Sequence, residues 1–191
     1  MRVIVVGDTA SGKSSFLKTV AAKEFTVQFE TFLPTIHPLI YSNLFARRAA
    51  FTSYYANRDL DIWTNTVNPV FYEYSVHSMK AFNEASMAAG ELNKKQFEAL
   101  EQLRGSVLDF FPIAKDDVVL HFLCSRKVSN ERVLARDGNK HLKSQKYFDI
   151  FRSSLEKEFS SCCKYFAIDT TTLTVSDVYS MVVSKPLRWL S

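Results

Sequence analysis

The chain has 191 residues, 47% of them hydrophobic, 14% aromatic and 23% charged, which fits one domain with its own core and excludes a disordered chain. Its net charge of +4 suits polyphosphate ligands and falls short of a nucleic-acid-binding signature. Three cysteines, two of them adjacent (Cys162 and Cys163), build no disulfide framework and fit a reducing, cytoplasmic setting, so a secreted protein is not expected.

Five short apolar runs read as buried strands: Val3 to Val6, Thr26 to Phe29, Val70 to Tyr72, Val118 to Leu123, and Tyr165 to Ile168. The first is too short to span a bilayer and has no cleavage pattern after it, and no later run reaches the roughly 18 residues a membrane helix needs. Segments with helical character lie between them: Ser14 to Lys23, Pro38 to Asp61, Ser78 to Ala89, Asn93 to Phe110, Ser129 to Arg136, Ser144 to Phe159, and Val175 to Val183. Strands alternating with helices predict an α/β fold of three layers, a five-stranded parallel sheet with helices on both faces. In such sheets ligands bind beyond the carboxyl ends of the strands. An acid that directly follows a strand, such as Glu30 or Glu73, is therefore a candidate site residue.

The strongest local signal is "GDTASGKS", residues 7 to 14, between the first strand and the first helix. That context defines a phosphate-binding loop. Gly7 and Gly12 let the backbone curl so that the N–H groups of Asp8, Thr9, Ala10, Ser11 and their neighbours point at phosphate oxygens. The helix beginning near Ser14 and Ser15 adds its positive end. Lys13 can reach the terminal phosphates, and Ser14 offers a hydroxyl to magnesium. ATP or GTP binding is expected, and the reaction has to be argued separately.

"VIVVGDTASGKSSFLKTVAAKEF" resembles the opening of the small GTPases, and "LDIWTN" (60 to 65) is faintly similar to their second-switch strand. No Asp-x-x-Gly follows Trp63, and "GNK" (138 to 140) lacks both a preceding strand and the Asp of the guanine-reading motif. A second resemblance runs along nearly the whole chain, to the deoxynucleoside kinases, which include many viral thymidine kinases. It rests on Glu30 of "VQFETF", on "AAFTSYYANR" (49 to 58), on "FYEYSVHSMKAFNEASMAAGELNKKQFEALEQL", on "VVLHFLCSRKVSNERVLARDGNKHLKSQKYFDIF", and on "YFAIDTTTLTVSDV".

This resemblance implies a single kinase domain over residues 1–191, with a lid at about 132–144. It implies magnesium-dependent transfer of the ATP γ-phosphoryl to the 5′-hydroxyl of a deoxynucleoside, thymidine or deoxycytidine. Glu30 would be the base that takes the hydroxyl proton. Glu73 would hold magnesium with Ser14. Arg132 and Arg136, one helical turn apart, would clamp the transferring phosphates. Phe51, Thr52, Tyr54 and Tyr55, with Tyr41 or Phe45, would line the nucleoside site. Pairing of two copies is implied, as is a viral origin, with no nucleic-acid or membrane partner.

The departures are specific. Thr52 stands where the family has a base-reading Gln, Tyr74 where it has an Arg after the strand-end Glu, and Met79 where an Asp follows. Gly138 replaces a lid arginine, and Lys140 and His141 replace acids. Two alternatives therefore stay open. One is a nucleotide-binding protein that does not catalyse, or a GTPase-like switch. The other is a nucleoside monophosphate kinase using Arg47, Arg48 or Arg58 for the acceptor phosphate.

Overall fold

The computed structural model describes residues 1–23, 25–30, 42–65, 69–137 and 143–184. Five strands, β1 (Arg2–Gly7), β2 (Thr26–Gln28), β3 (Val70–Glu73), β4 (Val118–Leu123) and β5 (Lys164–Asp169), form one sheet. All pair in parallel, in the order β2-β3-β1-β4-β5. The register places Glu73 beside Val5 and Phe122 beside Gly7, so the ends of β1, β3 and β4 lie at one edge.

Both sheet faces are buried, which is why the strands read as continuous apolar runs. Val3, Val5, Phe71, Leu120 and Phe122 face α1 (Lys13–Ala21) and α7 (Val175–Tyr179), meeting Phe16, Leu17, Val20 and Val178. Ile4, Val6, Tyr72 and Val119 face the other way. There they pack with α2 (Leu44–Asn65), α3 (Met79–Ala88) and α6 (Gln145–Phe159). Among the described residues there are also helices α4 (Lys94–Leu108) and α5 (Arg126–Asp137). No helix among the described residues is long and apolar enough to cross a membrane.

Several boundaries differ from the sequence reading for local reasons. Asn43 caps α2, its side chain accepting from the Ala46 N–H at 3.1 Å, and buried Ile62 carries the helix past Asp61. Leu60–Asn65 is thus helix, which removes the likeness of "LDIWTN" to a GTPase strand. After β3 the chain makes a 3₁₀ turn, Val76–Ser78, closed by the Ser75 N–H donating to Ser78 Oγ at 3.2 Å and the Ser78 N–H donating to the Ser75 carbonyl at 3.0 Å. Helix α5 begins three residues earlier than expected, after Ser125. The final helix passes into a wider turn at Ser180–Ser184.

Helix α6 is fixed to α3 and α4 by a partly buried charge cluster. Glu158 meets Arg104 at 3.0 Å, Lys80 at 3.4 Å and His77 at 3.5 Å. Burial alone would push the Glu158 carboxyl up, but the His77 hydrogen bond and the Arg104 and Lys80 charges outweigh it and hold it at about 2. Its folded-state value lies below the unfolded one, so its contribution is present above about pH 4.5 and fades as the pH falls toward 2. Glu158→Gln is expected to cost about 1–3 kcal/mol at neutral pH. In denaturant titrations at several pH values, the difference from wild type should shrink below about pH 4.5.

Candidate active site

The phosphate loop is bent by residues in the left-handed backbone region, Gly12 at φ 94° and Ala10 at φ 58°, with Gly7 at φ 138°. Glycine is required at position 7 for a further reason: a Cβ there would lie 2.1 Å from the Phe122 carbonyl oxygen on β4.

Each carbonyl from Gly7 to Ser11 accepts a hydrogen bond from a side chain outside the loop or from within it. The Gly7 carbonyl accepts from the Tyr74 hydroxyl at 2.8 Å and from Lys13 Nζ at 3.1 Å. That of Asp8 accepts from Lys13 Nζ at 2.7 Å and Ser11 Oγ at 2.8 Å. Ser129 donates to Thr9 at 2.8 Å, Arg132 Nη1 to Ala10 at 3.2 Å, and Thr170 Oγ1 to Ser11 at 2.8 Å. With the carbonyls so engaged, and the Asp8 and Ser11 N–H groups donating to the Phe122 and Asp8 carbonyls at 3.1 Å and 3.3 Å, the remaining loop N–H groups are left to an anion.

Asp8 is a correction to the sequence reading. Its carboxylate turns away from the loop, accepting from the Cys124 N–H at 2.9 Å and from Arg152 Nε at 3.0 Å and 3.1 Å, with a further bond from Arg152 Nη2. Arg152 Nη2 also donates to the Cys124 carbonyl at 2.5 Å. The Asp8 N–H also goes to β4, donating to the Phe122 carbonyl at 3.1 Å, so Asp8 anchors the loop to β4 and α6 and does not offer its N–H to a phosphate.

Gly7, Thr9 to Ser15, Glu30 and Glu73 line one cavity of about 800 Å³. Buried Lys13 lies 3.6 Å from Glu73, and Ser14 Oγ donates to the same carboxylate at 3.1 Å. Burial lowers the Lys13 pKa, opposed by Glu73, Asp8 and Glu30. Half-buried Glu30, just beyond β2, accepts from the Tyr55 hydroxyl at 2.9 Å. Burial and then the Glu73 charge raise the Glu30 pKa, against the Tyr55 bond and the Arg58 and Lys13 charges. Burial keeps the Tyr55 hydroxyl protonated, so it donates.

Beyond Glu30 the cavity wall is aromatic. Phe51 stacks on Tyr55 at 6.0 Å, and Phe82 from α3 with Tyr147 and Phe151 from α6 form a second aromatic cluster on the same lining. Arg48 reaches this end, its guanidinium 4.8 Å from the centre of the Phe82 ring and its Nη2 donating to Ser86 Oγ at 3.2 Å and Tyr147 OH at 3.4 Å.

Other expectations need correcting. Thr52 is buried and off the cavity, with its hydroxyl donating back to the Arg48 carbonyl at 3.0 Å, because the helix phase turns it toward the core. Tyr54 and Phe45 are also off the wall; Tyr54 packs edge-on behind Tyr55 at 5.4 Å. Arg58 is buried behind Tyr55, donating to the Tyr74 carbonyl at 2.6 Å, and does not reach the cavity. Arg132 and Arg136 both line the cavity, but Arg132 is a strut on the loop, also bonded to the Thr170 carbonyl at 3.3 Å. Tyr41, Gly138, Lys140 and His141 lie outside the described residues.

Ser14 and Glu73 place two oxygens together beside the phosphate loop. That fits magnesium, which takes one or two protein oxygens and completes its shell with water and phosphate. Among the described residues no cluster of three acidic, His or Cys side chains offers a protein-only metal cage.

The site and sheet together define a phosphate-loop α/β protein with a nucleotide-sized cavity at the strand ends. No family model and no curated protein matches the sequence. Solved structures do match. The structure of deoxyadenosine kinase from M. mycoides with products dCMP and a flexible dCDP has a TM-score of 0.77 at 15% identity, over 97% of this chain and 98% of that one. The same enzyme with bound dATP or dCTP gives TM-scores of 0.70 and 0.71, each at 14% identity and with the same coverage. The chain has a deoxynucleoside kinase-like fold.

The two glycines of the loop should differ in cost. Gly7→Ala must part β1 from β4, and is expected to destabilise by about 2 kcal/mol or more. A Cβ at Gly12 meets nothing within 4 Å, so Gly12→Ala should cost only its backbone strain, about 1–2 kcal/mol. Thermal melts of both variants without nucleotide check the order.

Proposed function

We propose that the protein is a deoxynucleoside kinase that transfers the γ-phosphoryl of ATP to the 5′-hydroxyl of a deoxynucleoside. The carrying observation is that Glu30 and Glu73 share one cavity with Lys13 and the phosphate loop, with an aromatic-walled extension beyond Glu30. The fold supports the reading, since the neighbouring structures are of a deoxyadenosine kinase with deoxynucleotides bound.

Phosphoryl transfer demands positioning and charge neutralisation more than covalent chemistry. In this reading the loop N–H groups and Lys13 hold the ATP phosphates, and Arg136 approaches them from α5. Ser14 and Glu73 hold magnesium, which would offset charge on the phosphates. Glu30 accepts the 5′-hydroxyl proton, and the Tyr55 hydroxyl keeps its carboxylate aimed. The sugar and base extend along α2 between Phe51 and Tyr55 on one side and Phe82, Tyr147 and Phe151 on the other.

The placement of cations favours a nucleoside over a monophosphate acceptor. An acceptor phosphate would need a positive group beside Glu30. Arg58 lies behind Tyr55, and Arg47 and Arg48, which line the cavity, are eight and seven residues before Tyr55 on α2, about 10–12 Å along the helix. Arg48 therefore suits the far edge of the base.

The direct test is labelled phosphate transfer from MgATP to each of the four deoxynucleosides and to thymidylate. Transfer to at least one deoxynucleoside is expected. ATP binding without transfer to any acceptor would favour a non-catalytic nucleotide-binding protein, and preference for thymidylate a monophosphate kinase. Glu30→Gln is expected to lower kcat by about 10²- to 10⁴-fold. Because the Glu30 pKa is raised, wild-type activity should fall with acid at a pH above the ordinary glutamate value of 4.5. A pH–rate profile with that limb, absent from the residual activity of the variant, checks the role. Glu73→Gln should abolish magnesium-dependent transfer and leave the fold intact.

A further inference from the structure

Tyr74 stands where the resemblance to deoxynucleoside kinases leads one to expect an arginine after the strand-end glutamate. Its backbone is in the left-handed region, φ 56°, unusual for a bulky residue and maintained only where the surroundings over-determine it. They do so here. The Tyr74 N–H donates to the Val5 carbonyl at 3.0 Å, continuing the β3–β1 ladder by one residue. Arg58 Nη2 donates to the Tyr74 carbonyl at 2.6 Å. Asp59 accepts from the Val76 N–H at 2.8 Å and fixes the turn that follows.

This backbone turn aims the phenol at the phosphate loop. The hydroxyl donates to the Gly7 carbonyl at 2.8 Å, and Lys13 Nζ lies 5.2 Å from the ring centroid. On its other side the ring meets Phe82 at 5.0 Å and Tyr55 at 6.5 Å, both on the aromatic part of the cavity.

We propose that Tyr74 is a positioning residue that holds the phosphate loop and Lys13 ready for a nucleotide. Lys13 Nζ is bonded to the Gly7 and Asp8 carbonyls. To serve a phosphate it must give up part of that bonding. The Tyr74 hydroxyl keeps the Gly7 carbonyl satisfied when it does, so the exchange leaves no buried acceptor unpaired. The ring face meanwhile attracts the ammonium and limits where it can go. An arginine at this place would set a second buried cation beside Lys13.

The inference rests on the cavity being a nucleotide site, as proposed above, but its test does not need transfer to occur. MgATP binding is measured by titration calorimetry for wild type, Tyr74→Phe and Tyr74→Leu, and acceptor binding is measured on the same preparations. Tyr74→Phe keeps the ring and loses the donor, so MgATP affinity should drop about 3- to 10-fold with acceptor affinity unchanged. Tyr74→Leu should lose more. Unaltered MgATP binding by Tyr74→Phe would overturn the inference, and so would an equal loss for both ligands, which marks a merely structural role. If wild type binds MgATP but transfers no phosphate, the kinase reading fails while the Tyr74 inference still stands or falls on the binding data.

Discussion

The site depends on one constraint: a loop that binds anions with its N–H groups must put its carbonyls somewhere else. A buried carbonyl without a donor costs on the order of 1–3 kcal/mol. Five consecutive carbonyls, buried at Gly7, Asp8 and Ser11 and partly buried at Thr9 and Ala10, would make the loop untenable if left unpaired. The protein meets the demand with donors from several elements: Tyr74 after β3, Ser129 and Arg132 on α5, Thr170 after β5, and Lys13 and Ser11 from the loop segment itself. The loop is therefore a product of the whole sheet edge. Asp8 completes it by reaching across β4 to Arg152.

With the loop fixed at the end of β1, the strand order determines the rest. Strand β3 lies directly beside β1, so an acid on its last residue stands next to the loop lysine and serine. Strand β2 lies one place further out, so an acid just after it falls further along the cavity, where Tyr55 holds it. Helix α2 runs past both positions and lines the cavity with one face, from Tyr55 through Phe51 to Arg48. Ala56 and Ile62 of the same helix go to the core. Buried Arg58 and Asp59 support the turn after β3 from below.

Much of this was legible in the sequence. The phosphate loop is local, and its spacing alone announces it. The strands were legible because a parallel sheet buried on both faces must read as short apolar runs. Glu30 and Glu73 were visible through a topological rule rather than through their neighbours. What escaped notice was the part supplied by distant contacts. Nothing about Arg152, Ser129 or Thr170 marks them individually, since their partners are loop atoms more than a hundred residues away. Thr52 and Tyr54 were misread because the phase of a helix that is aromatic on several sides cannot be fixed by composition. "LDIWTN" looked like a strand because Ile62 and Trp63 suit either structure; the extension of α2 over buried Ile62 decided it. Tyr74 was visible as a departure, but its bond to Gly7 was not.

The central claim is that one cavity holds both a phosphate donor and a nucleoside acceptor, end to end, with Glu73 and Glu30 at the junction. A crystal structure with magnesium and a bisubstrate analogue, in which adenosine and a deoxynucleoside are joined through a polyphosphate, tests it most directly. Phosphates are expected on the loop N–H groups, metal beside Ser14 and Glu73, the acceptor 5′ end at Glu30, and the base between Phe51 and Phe82 near Arg48. An acceptor half bound outside the aromatic pocket, or a metal held away from Glu73, would contradict it.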